Sequence, residues 1–350
     1  MQPFLIKRTK EIDLSSRLSE YVTKNYDQNS LSTKIQQYFG EVNQNRGVIS
    51  KMGQTASKID TLKQHINIVT HYINQLNTIK TKMTFGKENY SCKIEFTWSD
   101  TIKNSNWSSY NIYFEIYNTM FNLASLYYAL GFFISQSENP DKNSRKEASK
   151  NFKYAMYIFN VIKEEAMTKI LEKELPIDLL PQHLEYCITM CIISGNIEIL
   201  EIAKETSKTE FSLQSKIALT ISENYKIAYG LSNEFPTKKG GEDNFRNYLL
   251  NRSSYYRGVM CKLLREANKK IFDNTGKNYG EILFFQGLFV EQLLECEKTI
   301  KKCGNYLNYE EFSKELQAEK EAGQDMLDKN NRIYHQLVPD GNNLNFEKKI

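Results

Sequence analysis

The scarcity of helix-breaking residues is the feature that most constrains the fold of this chain. Only six prolines and 16 glycines occur in 350 residues, while Lys, Glu, Leu and Ile are abundant. Proline and glycine destabilise a helix interior more than any other residues, and the abundant residue types are well tolerated there. The sequence therefore predicts a mainly α-helical protein with enough material for a large buried core.

The pattern after Tyr110 predicts long helices that follow one another closely. In "EASKNFKYAMYIFNVIKEEA", Ala148, Phe152, Ala155 and Phe159 lie along one stripe of a helix. This alternation of small and large side chains allows a neighbouring helix to approach closely, and tetratricopeptide helix pairs use the same arrangement. No regular repeat period is visible, so we expect a tetratricopeptide-like array of helical hairpins and not a regular solenoid.

The chain carries few signals for a domain boundary. Pro176 and Pro181 interrupt the helices, and a new helix is expected to begin near Pro181. The most loop-like stretch is "NEFPTKKGGEDN", residues 233–244, and no long low-complexity linker occurs. We therefore expect one elongated domain over residues 1–350, with its helical core at about 110–330.

Two short runs near the N-terminus have the character of strands. One is the apolar start of "PFLIKRTKEIDL", and the other is "CKIEFTW", residues 92–98, whose side chains alternate and include aromatic residues. Together they predict one small sheet in the N-terminal part of the molecule.

One uncharged stretch, residues 116–137, is long enough to cross a membrane. However, it contains Asn118, Asn122, Ser125 and Gln136, and no basic cluster flanks it. A helix that is buried on most sides inside a protein has the same composition, and we favour that interpretation.

The composition argues against several classes of function. The net charge is only +4, and basic residues alternate with acidic ones, so no nucleic-acid surface is expected. The chain lacks a phosphate-binding loop, HExxH and GxSxG motifs, and its six cysteines form no CxxC pair. Cys187 and Cys191 lie on one helical face among apolar residues, which indicates buried free thiols. We therefore expect no enzyme, no cofactor and no metal.

Four separated segments resemble the ALIX-type BRO domain of proteins that accompany the ESCRT membrane-remodelling system. They occur in the family's order and spacing over essentially the whole chain. They are "FLIKRTKEIDLSSRLSEYVTKNY" (4–26), "CKIEFTWSDTI" (92–102) followed by "MFNLASLYYALG" (120–131), "NYGEILFFQGL" (278–288) and "NNRIYHQLVPD" (330–340). The resemblance implies a curved, banana-shaped helical domain.

The resemblance also implies that a tail, residues 331–350, leaves the last helix and folds back along the body. Ile333, Tyr334, Leu337 and Val338 would then be buried anchors, and Pro339 would end any helical continuation. In some family members the residue equivalent to Tyr334 is a phosphorylation or binding site; we favour the anchor role.

The function implied by the resemblance is that of a scaffold with a groove for a partner helix. The groove would take the amphipathic C-terminal helix of the ESCRT-III core subunit. Its apolar floor would be Leu200, Leu213 and Ile217, with Lys204 and Lys216 on the edges. The match requires a one-residue insertion around 205–212, so Ile199 or Ile202 would replace Leu200 if the alignment slips.

This function would place the protein in the cytoplasm, from which it is recruited to endosomes during multivesicular-body formation. We expect an isolated domain of this kind to be monomeric. The sequence leaves open whether the chain is complete or part of a longer protein.

A membrane- or surface-associated role is the alternative. It depends on two basic segments, "PTKKGGE" (236–242) and "FEKKI" (346–350), that could attract anionic lipid. Some family members in protists are adhesion proteins, which keeps a surface role open.

Overall fold

The structure is a computed structural model that describes residues 3–26, 30–53, 58–171, 173, 175–207, 210–234 and 242–339. These residues form helices over most of their length and two short strands, so the predicted mainly α class is confirmed. The helices are α1 (Leu14–Asn25), α2 (Thr33–Lys51), α3 (Ile59–Lys80), α4 (Ile112–Ser135), α5 (Lys142–Lys169), α6 (Pro181–Thr206), α7 (Phe211–Ser232), α8 (Glu242–Thr275), α9 (Tyr279–Ile300) and α10 (Tyr309–Lys329). The strands are β1 (Phe96–Ser99) and β2 (Asn106–Ser109).

Helices α3 to α9 pack in sequence, each against the next, as an array of hairpins. The predicted stripe on α5 is buried along its whole length, from Ala148 to Phe159. The helices α4 and α5 approach closely at Gly131, where an added Cβ would lie 3.0 Å from the Ala148 carbonyl oxygen and 2.9 Å from the Phe152 ring. Small residues therefore set the spacing of this pair, as the sequence pattern indicated.

The uncharged stretch is the core helix α4, which is buried on almost every side. Its asparagines are used inside the protein: the Asn118 amide donates to the Phe114 carbonyl oxygen at 2.7 Å, and Asn122 binds the N-terminal segment. Among the described helices, α6 is the one that is long and apolar enough to cross a membrane. Of its most apolar 18-residue stretch, 67% is buried inside the protein. A core helix meets the same criteria, so this composition is weak evidence for a span.

The small sheet is a hairpin of β1 and β2, paired from Phe96 with Ser109 to Ser99 with Asn106. The prediction that the N-terminal run would be the second strand was therefore wrong. That run contributes a single bridge, between Thr9 and Trp98. The hairpin is favoured because the Asp100 carboxylate accepts hydrogen bonds from the backbone N–H groups of the turn, including that of Ile102 at 2.9 Å.

The N-terminal segment, residues 3–13, forms a strap in which Ile6 and Lys7 are buried, whereas Leu5, Arg8 and Lys10 are exposed. The Lys7 backbone N–H donates to Asn122 Oδ1 at 2.7 Å, and Asn122 Nδ2 donates to the Lys7 carbonyl oxygen at 3.0 Å. The Lys7 ammonium lies 2.6 Å from Asp178 Oδ1, with both side chains completely buried. The other Asp178 oxygen accepts from the Thr101 N–H at 2.7 Å. The Lys7 backbone thus joins the strap to α4, and its ion pair with Asp178 joins the strap to the segment before α6 and to the β hairpin turn.

A second buried ion pair holds the helices α2, α3 and α4 to the sheet. Arg46 Nε lies 2.6 Å from Glu115 Oε1, and both side chains are buried. Glu115 also accepts from the Tyr72 hydroxyl at 2.9 Å and from Trp98 Nε1 at 2.5 Å. The Arg46 guanidinium covers the Trp98 ring at 5.3 Å. Every partner of this carboxylate comes from a different element, so it fixes their relative positions.

The C-terminal tail is held mainly by polar groups. After α10 the chain makes a turn over Asn330–Tyr334. Asn330 Nδ2 donates to the Gln336 carbonyl oxygen at 2.9 Å, and the Gln336 N–H donates to Asn330 Oδ1 at 3.1 Å. The Gln336 amide then accepts from the Tyr279 N–H at 2.7 Å and donates to the Gly276 carbonyl oxygen at 2.9 Å. Sequence reasoning missed both Asn330 and Gln336.

Only one of the four predicted tail anchors packs against the body. The Tyr334 ring contacts the rings of Tyr279 and Phe272 at 4.4 and 4.9 Å. The prediction was wrong for Ile333, Leu337 and Val338, whose exposed fractions are 62%, 94% and 46%. The reason is that the tail turns its backbone to α9: the Leu337 carbonyl oxygen lies where a Cβ on Gly280 would be.

The buried ion pair of Lys7 leads to a prediction about stability. In Asp178→Asn the buried Lys7 amine loses its anion and must either stay charged without a partner or give up its proton, so we expect a loss of about 3–5 kcal/mol in the free energy of unfolding. Chemical denaturation followed by circular dichroism would measure this loss. The matched control is Glu20→Gln, which breaks the exposed pair of Glu20 with Lys24 and should have no measurable effect. Equal stability of the two variants would contradict a central role for Lys7.

The close approach of the tail to α9 leads to a second prediction. Gly280→Ala places a methyl group against the Leu337 carbonyl oxygen, so we expect release of the tail and faster amide hydrogen exchange over residues 330–339. Gly287→Ala, on the same helix with open space at its Cβ, is the control and should exchange like the wild type. Unchanged protection of the tail in Gly280→Ala would show that the tail is not held at this point.

Candidate partner-binding surface

The candidate surface lies on the hairpin of α6 and α7, and a buried glutamine builds its turn. The Gln214 amide donates to the Ser207 carbonyl oxygen at 2.8 Å and to the Ala203 carbonyl oxygen at 3.4 Å. The Ser207 N–H donates to the same Ala203 oxygen at 2.9 Å. The last carbonyl groups of α6, which a helix end leaves without partners, are satisfied in this way by a side chain of α7. The start of α7 is thereby locked to the end of α6.

Leu213 and Ile217 share one face of α7, because residues four apart on a helix are neighbours. The Leu213 side chain is 48% exposed, and Ile217 is partly buried against the core. Lys216, next to both on the helix surface, is exposed. Gln214, Ser215 and Ala218 are buried. The predicted residues Leu213, Lys216 and Ile217 are therefore placed where a partner can contact them.

The prediction for Leu200 was wrong, because its side chain is completely buried in the core. Its neighbour Ile199 is 42% exposed instead. The two residues project in different directions, since successive residues turn by about 100° around a helix. Ile202, the other alternative, is partly buried. Of the three candidates on α6, Ile199 presents the most accessible side chain.

Lys204 lies apart from Leu213 and Ile217. It is four residues after Leu200 and so projects from the same side of α6. Its ammonium lies 2.7 Å from Glu201 Oε1, and it lines a cleft of about 410 Å³ between the α6–α7 turn and α8, α9 and α10. Leu213 and Ile217 do not line this cleft. The structure thus separates the two predicted lysines: Lys216 accompanies the exposed apolar residues, and Lys204 does not.

Ile199, Leu213 and Ile217 lie in the part of the hairpin next to the turn, whereas Ile227, which is 52% exposed, lies farther along α7. Ile199 lies seven residues before the end of α6, and Ile217 lies six residues after the start of α7. At 1.5 Å per residue, both are about 10 Å from the turn. Leu213 lies nearer to the turn, at about 3 Å. The hairpin therefore carries exposed apolar side chains on both helices over its last two turns.

Arg145 is a residue of this region that sequence reasoning missed. From α5 its guanidinium reaches Glu198 Oε2 and Glu205 Oε1 of α6, each at 3.1 Å. Burial raises the pKa of Glu198, and the charge and hydrogen bond of Arg145 oppose this rise. The only feature of the sequence that could have indicated this interaction is the spacing of Glu198 and Glu205, which are two helical turns apart and so share a face. Arg145 thus holds the C-terminal half of α6 against α5.

The described residues contain no group of three or more metal-ligating side chains. All six cysteines are buried and unpaired, as predicted for Cys187 and Cys191. Burial raises the pKa of both of these thiols, which disfavours the reactive thiolate. The basic segment 346–350 lies outside the described residues, as does all of 236–242 except the backbone of its last residue. The membrane-associated role therefore stays a prediction.

Comparison with curated proteins finds two distant relatives. The chain is 20% identical over 344 residues to the ALG-2 interacting protein X of Dictyostelium discoideum, covering 98% of this chain and 41% of the relative. It is 21% identical over 348 residues to the Programmed cell death 6-interacting protein of Xenopus laevis, covering 96% of this chain and 36% of that one. The chain thus spans about two fifths of the length of the curated relatives that it matches.

Solved structures share the fold over the whole chain. An ALIX BRO1 domain in complex with CHMP4C superimposes with a TM-score of 0.81 at 17% identity, covering 99% of this chain and 92% of that one. A Bro1 domain described as the basis for endosomal targeting has a TM-score of 0.75 at 16% identity, covering 97% and 89%. This likeness confirms the expected elongated, curved helical fold.

The family model for the BRO1-like domain matches residues 1–350. The match agrees with the family resemblance of the four sequence segments and with the shared fold. This chain belongs to the BRO1-like domain family.

Proposed function

We propose that this chain is a non-catalytic scaffold whose α6–α7 hairpin binds the C-terminal amphipathic helix of an ESCRT-III core subunit. The observation that carries the proposal is the exposure of Leu213 beside Ile217 on the outer face of α7, whose inner face is buried. Apolar side chains that are exposed next to one another, unlike single ones, mark surfaces for partners. The solved complex of an ALIX BRO1 domain with CHMP4C supports the choice of partner.

The shape and chemistry of the surface suit a helix better than an extended peptide. An extended peptide binds by adding to the open edge of a sheet, whereas Leu213, Ile217 and Ile199 lie on helices, away from the hairpin of β1 and β2. A partner helix presents apolar residues at spacings of three and four, which match Leu213 and Ile217. Lys216 would then orient the partner by contacting acidic residues at the edge of its apolar stripe.

The cellular role follows from the partner. Binding of an ESCRT-III subunit would recruit this protein from the cytoplasm to endosomes, where it would contribute to multivesicular-body formation and membrane remodelling. The related Bro1 domain that is described as the basis for endosomal targeting supports this location. Lys204 would act at a different place from Lys216. It lines the cleft next to the turn of the hairpin, which would contact a partner that extends beyond Leu213.

The proposal predicts a loss of binding when the apolar face receives charge. In the double variant Leu213→Asp and Ile217→Asp, burial of two carboxylates under the partner should weaken binding by about 100-fold or more. Fluorescence anisotropy with a labelled peptide of the ESCRT-III C-terminal helix would measure the affinity.

Ile271→Asp is the matched control, because Ile271 is similarly exposed but lies on α8. It should bind the peptide like the wild type. Thermal unfolding would show that the three proteins are equally folded. An affinity that does not change in the double variant would remove the α6–α7 hairpin as the binding surface.

A further inference from the structure

We propose that a second pocket, bounded by helices α4 to α8, binds a small carboxylate through Arg252 and Tyr225. The pocket has a volume of about 160 Å³, and Ile197 of α6 lines it. Ile197 and Ile199 are two residues apart and project about 200° apart around α6. The pocket therefore opens on a different side of α6 from the proposed helix-binding surface, and the proposal does not depend on that function.

Arg252 brings a positive charge to this pocket that no described residue neutralises. Its side chain is partly buried and makes no salt bridge with a described carboxylate. Aromatic rings surround it, with the guanidinium carbon 4.3 Å from the Tyr255 centroid and 5.0 Å from the Tyr256 centroid. A guanidinium stays charged at any ordinary pH, and its planar fork matches the two oxygens of a carboxylate.

Tyr225 adds a buried hydroxyl that lies near the side chains of Tyr248 and Arg252. Its ring is completely buried and is stacked on the Tyr256 ring at a centroid distance of 5.8 Å. Its hydroxyl is buried and lacks a hydrogen-bond partner of acceptable geometry. Buried polar groups without partners are uncommon because they lose hydration and gain nothing. An oxyanion held by Arg252 would supply the missing acceptor.

The size and charge of the pocket favour a carboxylate over a phosphate. Its volume has room for a group of the size of acetate. Glu198 lines the same pocket and already binds Arg145 at 3.1 Å. Because a phosphate dianion would meet this carboxylate and only one guanidinium without a salt-bridge partner, the electrostatic balance fits a single negative charge. Ser135 and Gln136 at the end of α4 line the pocket and offer further polar contacts.

The test is a titration of the 350-residue chain with sodium acetate, using sodium chloride at equal ionic strength and pH as the reference. Acetate should raise the thermal midpoint, since a ligand that binds only the folded state stabilises it, and should shift the Arg252 Nε–H resonance in NMR. Tyr225→Phe keeps the ring and removes only the hydroxyl; we expect about tenfold weaker acetate binding. Arg252→Lys keeps the charge but loses the fork and should abolish the response.

Arg257→Lys, at an exposed position on the same helix, is the control and should respond like the wild type. A parallel titration with N-acetylglutamate methylamide separates two sources of the carboxylate: an equal response indicates an acidic side chain of a protein, and a response to acetate alone indicates a free small acid. Both results support the site. Equal effects of acetate and chloride on the wild type, or a stronger response to phosphate than to acetate, would overturn the proposal.

Discussion

The ion pair of Lys7 with Asp178 is the interaction on which the arrangement of this molecule most depends. It lies completely out of water, where an isolated charge would be very unfavourable and where each member requires the other. Burial lowers the pKa of Lys7, and the attraction of Asp178 opposes this effect. The pair joins positions 171 residues apart in sequence, so it can form only after the strap and the helical array have come together. Such a pair selects one arrangement of the elements over its alternatives, even where it adds little net stability.

Buried polar contacts also fix the helices that carry the candidate binding surface. In the N-terminal half, Glu115 pairs with Arg46 and accepts hydrogen bonds from Tyr72 and Trp98. Further along, Gln214 ties α7 to the end of α6. Because these buried polar contacts hold the helices together, the outer face of α7 is not needed for packing. A partner surface needs that condition, because an apolar side chain such as Leu213 can stay exposed only where the core does not require it.

The C-terminal tail is held on the body mainly by hydrogen bonds and only in one place by an apolar side chain. A segment held by burial alone must turn its large side chains inward, whereas this tail turns its backbone inward and is held by the amides of Asn330 and Gln336. Gly280 makes the approach possible because it has no Cβ. Tyr334 adds the single aromatic contact. The apolar side chains of Ile333 and Leu337 are consequently left on the surface.

The sequence by itself determined the class of the fold, the stripe of α5, the start of α6 at Pro181 and, through four ordered segments, the family. These features depend on local propensity and periodicity, which neighbouring residues encode. Tertiary structure decided which strand pairs with β1, which side of α6 faces the core, and which tail residues are anchors. Leu200 and Ile199 are both aliphatic and adjacent, so composition cannot tell the buried one from the exposed one; the packing of α6 against its neighbours makes that choice. Arg145, Gln336 and Arg252 were missed for the same reason, since each acts through residues that are distant in sequence and meet only in the folded chain.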